Sequence, residues 1–232
     1  MSTFAVIIPA AGQSSRFVGF EQKKPFVELQ GIPIWQRTVD HFVSLDAVKE
    51  IVLVLAPEDR AEFETKFQTE IKARQITIVC GGTSRAASVQ NGIKALANDA
   101  TYIAVHDAAR PLLTESGLLR LFRAAEEYGS VIPGIPVTST VKKVSADNAI
   151  VETVDRQPLR LAQTPQVFQR DLLQSAFDAA DDLSSFTDEA SLVEATGVNV
   201  FIHPGWPQNI KITTAEDFQL AEMLIKAAGK TA

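Results

Sequence analysis

The stretch Phe4-Ala5-Val6-Ile7-Ile8, continued by Pro9-Ala10-Ala11-Gly12, decides the fold class of this 232-residue chain. Five consecutive apolar residues rich in β-branched side chains are typical of a strand buried on both faces of a parallel sheet. Similar runs recur at residues 51–55, 76–80 and 102–105. Because helical patterns separate these runs, the sequence predicts an α/β fold with a mostly parallel central sheet.

The clearest helical pattern follows Thr114, a good N-cap residue, and stops at Gly129. Its apolar positions are Leu118, Leu121, Phe122 and Ala125. Two more helices are predicted over about residues 57–67 and 85–96, and Thr214 begins an approximate capping box ahead of a C-terminal helix. Ligands in such folds bind beyond the carboxyl ends of the strands, so the segments that follow each strand are where function is expected.

Residues 138–159 break this alternation. Apolar residues on either side of a turn-like segment at 146–149 predict a two-stranded hairpin. An isolated hairpin is marginally stable in water, so we expect this one to pack on another surface, such as a second subunit. No repeat or linker interrupts the chain, and residues 1–232 are predicted to form one domain.

Composition excludes several classes of protein. With 46% hydrophobic and 22% charged residues the chain is not a disordered protein, and its net charge of -6 argues against a nucleic-acid or membrane-surface binder. A lone Cys80 cannot pair within the chain and indicates a reducing compartment. No apolar run is long enough to span a bilayer, and the start lacks a basic region. The sequence therefore predicts a soluble cytoplasmic protein that meets any anionic ligand with a few gathered cations.

Small residues and a cation follow the first strand, in the run Pro9-Ala10-Ala11-Gly12-Gln13-Ser14-Ser15-Arg16. Small side chains let the backbone approach a ligand, and consecutive amide groups can cradle an anion, although an ordinary strand-to-helix turn explains the run equally well. It is neither the three-glycine dinucleotide fingerprint nor a Walker A loop. Further on, Lys23-Lys24-Pro25 adds two cations, which alone would read as a solvated surface.

The third and fourth strands also end in polar segments. Gly81-Gly82-Thr83-Ser84-Arg85 and Ser88 open a helix and offer amides and hydroxyls to an anion or a base edge. After the fourth strand, Asp107 suits a sugar hydroxyl or Mg²⁺, and Arg110 suits a phosphate or a purely structural pair with Asp107. The three histidines are scattered and no cysteine cluster accompanies them, so a zinc site is not expected.

Taken together, six ordered motifs closely resemble the 2-C-methyl-D-erythritol 4-phosphate cytidylyltransferases over nearly the whole chain. The motifs are Pro9-Ala10-Ala11-Gly12, His106-Asp107-Ala108-Ala109-Arg110-Pro111, Thr153-Val154-Asp155-Arg156, Gln163-Thr164-Pro165-Gln166, Thr187-Asp188-Glu189-Ala190 and Asn209-Ile210-Lys211-Ile212-Thr213. The resemblance implies a Rossmann-like nucleotidyltransferase domain with a protruding β-arm that embraces the partner subunit of a homodimer. The hairpin at 138–159 fits that arm. The implied reaction joins CTP to 2-C-methyl-D-erythritol 4-phosphate and releases pyrophosphate, in the non-mevalonate route to isoprenoid precursors.

The resemblance also implies roles for individual residues. Catalytic roles fall to Arg16, Lys24, Arg156 and Lys211. CTP binding falls to Ala10, Ala11, Gly12, Gly82, Arg85 and Ser88. Binding of the polyol phosphate falls to Asp107, Arg110, Thr140, Arg156, Thr164 and Lys211. Mg²⁺ is expected to be held mainly through the CTP phosphates, with no protein residue assigned as its ligand, and Thr140 and Arg156 would act in the neighbouring subunit's site if the arm crosses the dimer.

The chain departs from the usual family pattern at Ser14, Phe17 and Lys23-Lys24-Pro25. Two other functions are alternatives. A ribitol 5-phosphate cytidylyltransferase shares the scaffold, but its members tend to carry Ala-Gly-Gly in the first loop and Ala-Val-Arg-Pro after the aspartate, unlike this chain. A non-catalytic nucleotide-binding module is disfavoured because the charged residues implied in catalysis are retained.

Overall fold

The structure, a computed structural model, describes residues 2–12, 26–97 and 99–228. The strands within these ranges are β1 (Phe4–Pro9), β2 (Glu28–Leu29), β3 (Ile32–Pro33), β4 (Val48–Leu55), β5 (Thr77–Cys80), β6 (Tyr102–Val105), β7 (Ser130–Pro136), β8 (Val141–Val144), β9 (Ile150–Val154), β10 (Arg160–Ala162), β11 (Gln166–Gln169) and β12 (Phe201–Pro204). The α-helices are α1 (Ile34–Val43), α2 (Pro57–Lys66), α3 (Gln68–Ala73), α4 (Arg85–Lys94), α5 (Glu115–Tyr128), α6 (Arg170–Ala179), α7 (Glu189–Glu194) and α8 (Ala215–Ala228).

The central sheet has eight strands in the order β10-β7-β11-β6-β1-β4-β5, with β12 pairing with β7. Strands β6, β1, β4 and β5 are parallel neighbours, and β12 runs parallel to β7. Within the described part of this sheet, antiparallel pairing is confined to β11, which lies between β6 and β7, and to β10, which borders β7. The predicted α/β fold with a mostly parallel central sheet is confirmed.

The apolar run of β1 is continuous because helices cover both of its faces. Phe4, Val6 and Ile8 pack into a core layer that includes residues of α1, α2 and α5. Ile7, between them in the chain, packs into the opposite layer with residues of α4, α6 and α7. Successive side chains of a strand point to opposite faces, so a strand covered on both sides needs apolar residues at every position.

The predicted helices are confirmed, with small shifts at their ends. The Thr114 hydroxyl accepts a hydrogen bond from the Gly117 N–H at 3.2 Å, and α5 ends at Gly129, whose φ of +78° lies in the left-handed region that glycine tolerates. Helix α4 ends at Lys94, earlier than predicted. The capping box also forms, because Thr214 and Asp217 each accept a hydrogen bond from the other's backbone N–H, at 3.3 and 2.9 Å.

Strands β8 and β9 form the predicted hairpin as a separate two-stranded antiparallel sheet. Three of its apolar side chains, Val144, Ile150 and Val151, are exposed, at 49%, 65% and 62%. Throughout residues 2–12, 26–97 and 99–228, no helix has the length and apolar character needed to cross a membrane.

Candidate active site

A cleft of about 580 Å³ lies at the carboxyl ends of the parallel strands. Among the described residues four loops line it, and each follows a strand: residues 10–12 after β1, which ends at Pro9, residues 56–58 after β4, residues 82–85 after β5 and residues 107–109 after β6. Lys211 and Thr213, from the segment before α8, also line the cleft, together with Ile34, Trp35 and Ser88. The cleft is therefore where the parallel-sheet topology places a ligand site.

Two glycine-bearing loops meet on one side of the cleft. Ala10 donates its N–H to the carbonyl of Val54, and Gly81 donates to the carbonyl of Leu55, both at 2.7 Å. These bonds bring Ala11 so close that a Cβ on Gly81 would lie 2.6 Å from the Ala11 Cβ. Glycine is required at position 81 by this close approach, and the two loops form one continuous backbone surface.

Ser88 holds the second loop in shape. Its buried hydroxyl accepts the Gly82 N–H at 3.1 Å and donates to the Ser84 carbonyl at 2.8 Å. The Ser84 hydroxyl caps α4 by accepting the Ala87 N–H at 3.1 Å. The backbone amides at the start of α4 are thus fixed before any ligand arrives, as an anion site at a helix N-terminus requires.

Asp107 is the centre of the cleft's charge cluster. Its carboxylate lies 2.9 Å from Lys211 Nζ, 3.4 Å from Arg110 Nε and 3.5 Å from Arg85 Nη2. Burial opposes ionisation of this carboxyl, but the three cations outweigh it and hold the pKa of Asp107 well below its usual range. Asp107 is therefore ionised at neutral pH and organises three positive side chains at one edge of the cleft.

Arg85 is held from behind by Glu189, the first residue of α7. The two side chains form a bidentate pair at 2.6 and 3.0 Å, with Glu189 only 1% exposed. Burial raises the pKa of Glu189 while Arg85 acts in the opposite direction, and the pKa of Arg85 is raised because Glu189 and Asp107 outweigh its own burial. A fork-to-fork pair of this kind fixes the plane of the guanidinium.

Two late motifs meet beneath the cluster. Arg110 Nη1 donates to the Asn209 carbonyl at 2.7 Å, and the Asn209 side chain donates to the Thr164 carbonyl at 2.8 Å. Gln163 donates to the Trp206 carbonyl at 2.8 Å and so anchors the loop that carries Asn209. This framework sets the positions from which Arg110 and Lys211 reach Asp107.

Most of the sequence-predicted site residues come together. The cleft is lined by Ala10, Ala11, Gly12, Gly82, Arg85, Ser88, Asp107 and Lys211. Arg110 joins it through Asp107, and Thr164 lies buried beneath, where its hydroxyl accepts the Asp107 N–H at 3.1 Å. Arg16 and Lys24 lie outside the described residues, as do Ser14, Phe17 and Lys23.

Thr140 and Arg156 occupy a different place. They line a second concavity of about 360 Å³ on the hairpin, with Thr153, Val154 and Asp155. Arg156 donates a hydrogen bond to the Thr138 carbonyl. The two concavities share no lining residue, so within one chain the hairpin residues are not part of the cleft.

Sequence reasoning assigned no role to several residues that build or line the cleft. They are Trp35, Glu58, His106, Glu189, Asn209 and Thr213. His106, Glu189, Asn209 and Thr213 belong to the six motifs, which was the available signal, but nothing in the chain order pairs Glu189 with Arg85 more than a hundred positions earlier. Among the described residues no group of three histidine, cysteine or acidic side chains could hold a metal ion.

A loop-lined cleft beside a cluster of cations, at the carboxyl ends of parallel strands, is typical of proteins that bind a phosphorylated, nucleotide-like ligand. The family model for 2-C-methyl-D-erythritol 4-phosphate cytidylyltransferase matches residues 4–227. This chain belongs to that family of nucleotidyltransferases.

Individual relatives agree with the family match. The chain is 38% identical to the 2-C-methyl-D-erythritol 4-phosphate cytidylyltransferase of Pelotomaculum thermopropionicum, over 98% of this chain and 96% of that protein. It is 41% identical to the protein of the same name from Symbiobacterium thermophilum, over 96% and 92%. A crystal structure of 4-diphosphocytidyl-2C-methyl-D-erythritol synthase superposes with a TM-score of 0.80 at 34% identity, covering 97% of this chain and 99% of that one.

Proposed function

We propose that this chain transfers the cytidylyl group of CTP to 2-C-methyl-D-erythritol 4-phosphate. The products are 4-diphosphocytidyl-2-C-methyl-D-erythritol and pyrophosphate, in the non-mevalonate route to isoprenoid precursors. The observation that carries the proposal is the convergence of Lys211, Arg110 and Arg85 on Asp107 at the edge of a cleft built from backbone amides. A cytoplasmic location and a single domain over 1–232 belong to the same proposal.

In the proposed reaction an oxygen of the polyol phosphate attacks the α-phosphorus of CTP. A phosphorus–oxygen bond forms to the attacking phosphate, and the bond to pyrophosphate breaks. Because the nucleophile is already ionised at neutral pH, no strong general base is needed. The main obstacle is repulsion between anions, about 1 kcal/mol per charge pair at 4 Å in bulk water and more inside a cleft. Positioned cations are the expected catalytic device.

The described residues divide this work between them. The loops at residues 10–12 and 82–85 line the cleft where the nucleotide would lie, and the amides of Ala10 and Gly82 hold these loops in place by donating to Val54 and Ser88. Lys211 is 40% exposed and touches Asp107, so its ammonium group is accessible to an entering phosphate. Arg85 is fixed by its carboxylate partner and keeps the cluster positive at a constant geometry. Transition-state stabilisation by Arg16 and Lys24 is carried over from the family motif.

Mg²⁺ enters the proposal together with the triphosphate of CTP. The acidic side chains that line the described cleft are Glu58 and Asp107, and Asp107 already binds three cations. This donor set fits an ion coordinated mainly by phosphate oxygens and water, the mode that Mg²⁺ prefers in nucleotide sites. The ion would supply additional charge neutralisation for the triphosphate.

The homodimer is proposed from the hairpin. Thr140 and Arg156 lie apart from the cleft of their own chain, and the apolar side chains beside them are exposed. Both observations are accounted for if the hairpin of each copy packs on the second copy and delivers Thr140 and Arg156 to its cleft. Each active site would then be built from two chains.

The reaction is tested by pyrophosphate release from purified protein with Mg²⁺ and CTP. Methylerythritol 4-phosphate is compared with ribitol 5-phosphate, and ATP, GTP and UTP serve as nucleotide controls. We expect pyrophosphate release with the pair CTP and methylerythritol 4-phosphate and with no other pair of substrates. Preference for ribitol 5-phosphate would replace the substrate, and silence with every pair would contradict an enzymatic role.

The composite site is tested by complementation between Lys211→Gln and Arg156→Gln chains, each nearly inactive alone. Because one of the two sites in a mixed dimer carries neither substitution, a purified heterodimer should recover about half of the wild-type activity. If both residues act within one chain, the heterodimer stays inactive. Arg160→Gln, which changes another exposed arginine, is the matched control and should leave activity unchanged.

A further inference from the structure

Thr213 lines the cleft, and the proposed reaction assigns it no role. It follows Lys211 by two positions, in the segment that leads into α8. Between them, Ile212 is fully buried in a small core that includes residues of β2, α1 and α8, and its N–H donates to the Ala109 carbonyl at 2.9 Å. Ile212 therefore anchors the segment, while the residues on either side of it reach the cleft.

Asp217, in the first turn of α8, determines the direction of the Thr213 hydroxyl. One oxygen of its carboxylate, Oδ2, accepts the Thr213 hydroxyl at 2.6 Å, the Thr213 N–H at 2.8 Å and the Thr214 N–H at 2.9 Å. Burial opposes ionisation of this carboxyl, but the hydrogen bonds outweigh it and lower the pKa of Asp217. Because an ionised carboxylate only accepts, the hydroxyl hydrogen of Thr213 points at Asp217.

This arrangement leaves the Thr213 oxygen with lone pairs and no hydrogen for a molecule in the cleft. An alcohol group can donate to that oxygen, whereas an unprotonated phosphate oxygen cannot. The helix end beside it points to the same chemistry. The first turn of α4 contains no acidic residue, but the first turn of α8 contains Glu216 and Asp217, and Asp217 already accepts two of the amides there. Negative charge at this helix end disfavours an anion and leaves a place for a hydroxyl group.

The position of Thr213 favours the polyol over the nucleotide as the source of that hydroxyl. Lys211, two positions earlier, pairs with Asp107 of the turn after β6 at 2.9 Å. The strand order β6-β1-β4-β5 places the loop at residues 82–85, which follows β5, on the other side of β1. Thr213 therefore lies on the side of the cleft to which the proposed function assigns the polyol phosphate.

We propose that Thr213 binds the polyol phosphate by accepting a hydrogen bond from one of its hydroxyl groups, beside the phosphate group that Lys211 is proposed to position. The inference deepens the proposed function and rests on it for the identity of the substrate. Asp217 holds the Thr213 hydroxyl so that a hydrogen-bond donor is recognised. Phosphate and hydroxyl groups of one substrate are then read by two side chains of the same short segment.

The contact is tested by calorimetric titration of the purified protein with Mg²⁺ and a CTP analogue that has a methylene bridge between its α- and β-phosphates. Thr213→Val removes the hydroxyl and keeps the shape of the side chain. It should weaken binding of methylerythritol 4-phosphate about 10-fold, the size of one lost hydrogen bond, and Thr213→Ser should restore the affinity. Inorganic phosphate, used as a competing ligand, should bind Thr213→Val as well as wild type, because Lys211 is unchanged. Unchanged affinity for the polyol phosphate, or weaker binding of inorganic phosphate, would overturn the proposal.

Monodeoxy analogues of the substrate identify the hydroxyl group. One of them should bind equally to wild type and Thr213→Val, because the substitution and the missing hydroxyl remove the same hydrogen bond. A loss that persists in Thr213→Val with every analogue would refute the contact. Thr214→Val is the matched control, since Thr214 accepts the Asp217 N–H at 3.3 Å and is not among the residues that line the described cleft. It should leave the affinity for the polyol phosphate unchanged.

The wild-type titration separates this inference from the proposed reaction. If wild type bound no methylerythritol 4-phosphate, the proposed function and the Thr213 contact would fail together. If wild type bound it and released pyrophosphate with CTP, while Thr213→Val bound it equally well, the Thr213 contact alone would fail.

Discussion

The cleft and the hairpin carry similar residue types in opposite physical settings. In the cleft, Arg85 and Glu189 meet at 2.6 Å with the carboxylate 1% exposed, whereas on the hairpin Lys143 and Glu152 lie 3.9 Å apart with both side chains more than half exposed. Apolar side chains show the same contrast, since the β1 run is buried and Ile150 and Val151 are exposed. The cleft is organised before substrate arrives, whereas the hairpin leaves apolar side chains exposed, as the proposed homodimer requires.

The largest expected difference between the cleft and the hairpin is the loss of stability when the carboxylate of each ion pair, Glu189 or Glu152, is removed. Glu189→Ala removes the bidentate partner of Arg85 and leaves it with the longer 3.5 Å contact to Asp107 in a mostly buried setting, and we expect the free energy of unfolding to fall by about 3 kcal/mol. The matched change Glu152→Ala removes an exposed, loosely paired carboxylate and should leave stability unchanged within error. Urea unfolding followed by circular dichroism measures both. Equal losses in the two variants would mean that the cleft pair is not preorganised.

Acid should destabilise the cleft through His106. The pKa of His106 in the folded state, which burial lowers to about 3, lies below the unfolded value of about 6.5. At pH values between these two, the unfolded chain binds a proton at His106 and the folded chain does not. The contribution of His106 to the free energy of unfolding is therefore fully present above about pH 6.5. It falls as the pH drops, by about 2 kcal/mol between pH 7 and pH 5. His106→Gln should lose that much less than wild type over the same interval.

His41 responds to acid in the same direction, because burial lowers its pKa as well. Its contribution is common to wild type and His106→Gln and cancels in the comparison. The charged neighbours do not respond over this pH range. The charged groups facing His106 are Asp107 and Arg110, with His41 further off. The pKa of Asp107 is lowered by folding, so its contribution is lost only as the pH falls below about 4, the unfolded carboxyl value. Arg110 stays protonated throughout. If His106→Gln followed the wild-type curve between pH 7 and pH 5, the ring would not be buried in its neutral form.

Sequence predicted the local parts of the fold because local physics determines them. A continuous apolar run must be covered by helices on both faces of the sheet, and such runs identify β1, β4, β5 and β6. Capping residues identify α5 and α8. Strand β11 escaped prediction since only four residues form it, and two of them are glutamines. Gln166 is buried because it donates to Asp188 at 2.8 Å and accepts the Ala190 N–H at 2.9 Å, partners that periodicity cannot reveal.

The candidate site also contains residues that the sequence predicts and residues that depend on contacts between distant parts of the chain. Topology predicts that functional residues follow the ends of the parallel strands. This rule identifies Asp107, Arg110 and the loop after β1. The partner of Arg85 could not be predicted from the sequence. Glu189 is far from Arg85 in the chain and has the pattern of an ordinary residue at a helix start. The substrate contact of Thr164 is implied by resemblance and stays a prediction; its hydroxyl is buried and hydrogen-bonded to His106 and to the Asp107 N–H, partners that the sequence pattern does not reveal.

The smallest expected effect tests the hairpin directly. Val151→Thr keeps the shape of the side chain but replaces a methyl group by a hydroxyl at a position 62% exposed in the single chain. If a second copy covers that surface, each substituted side chain should weaken self-association by roughly 1 kcal/mol, a part of the value of burying a whole valine. Val43→Thr, the same change on an exposed face of α1, is the matched control and should leave association unchanged. Sedimentation equilibrium measures both, and nucleotide binding to the cleft should be the same in all three proteins. Equal association of the two variants would place the contact surface away from the hairpin, and Arg156 would then have to reach a cleft by another route.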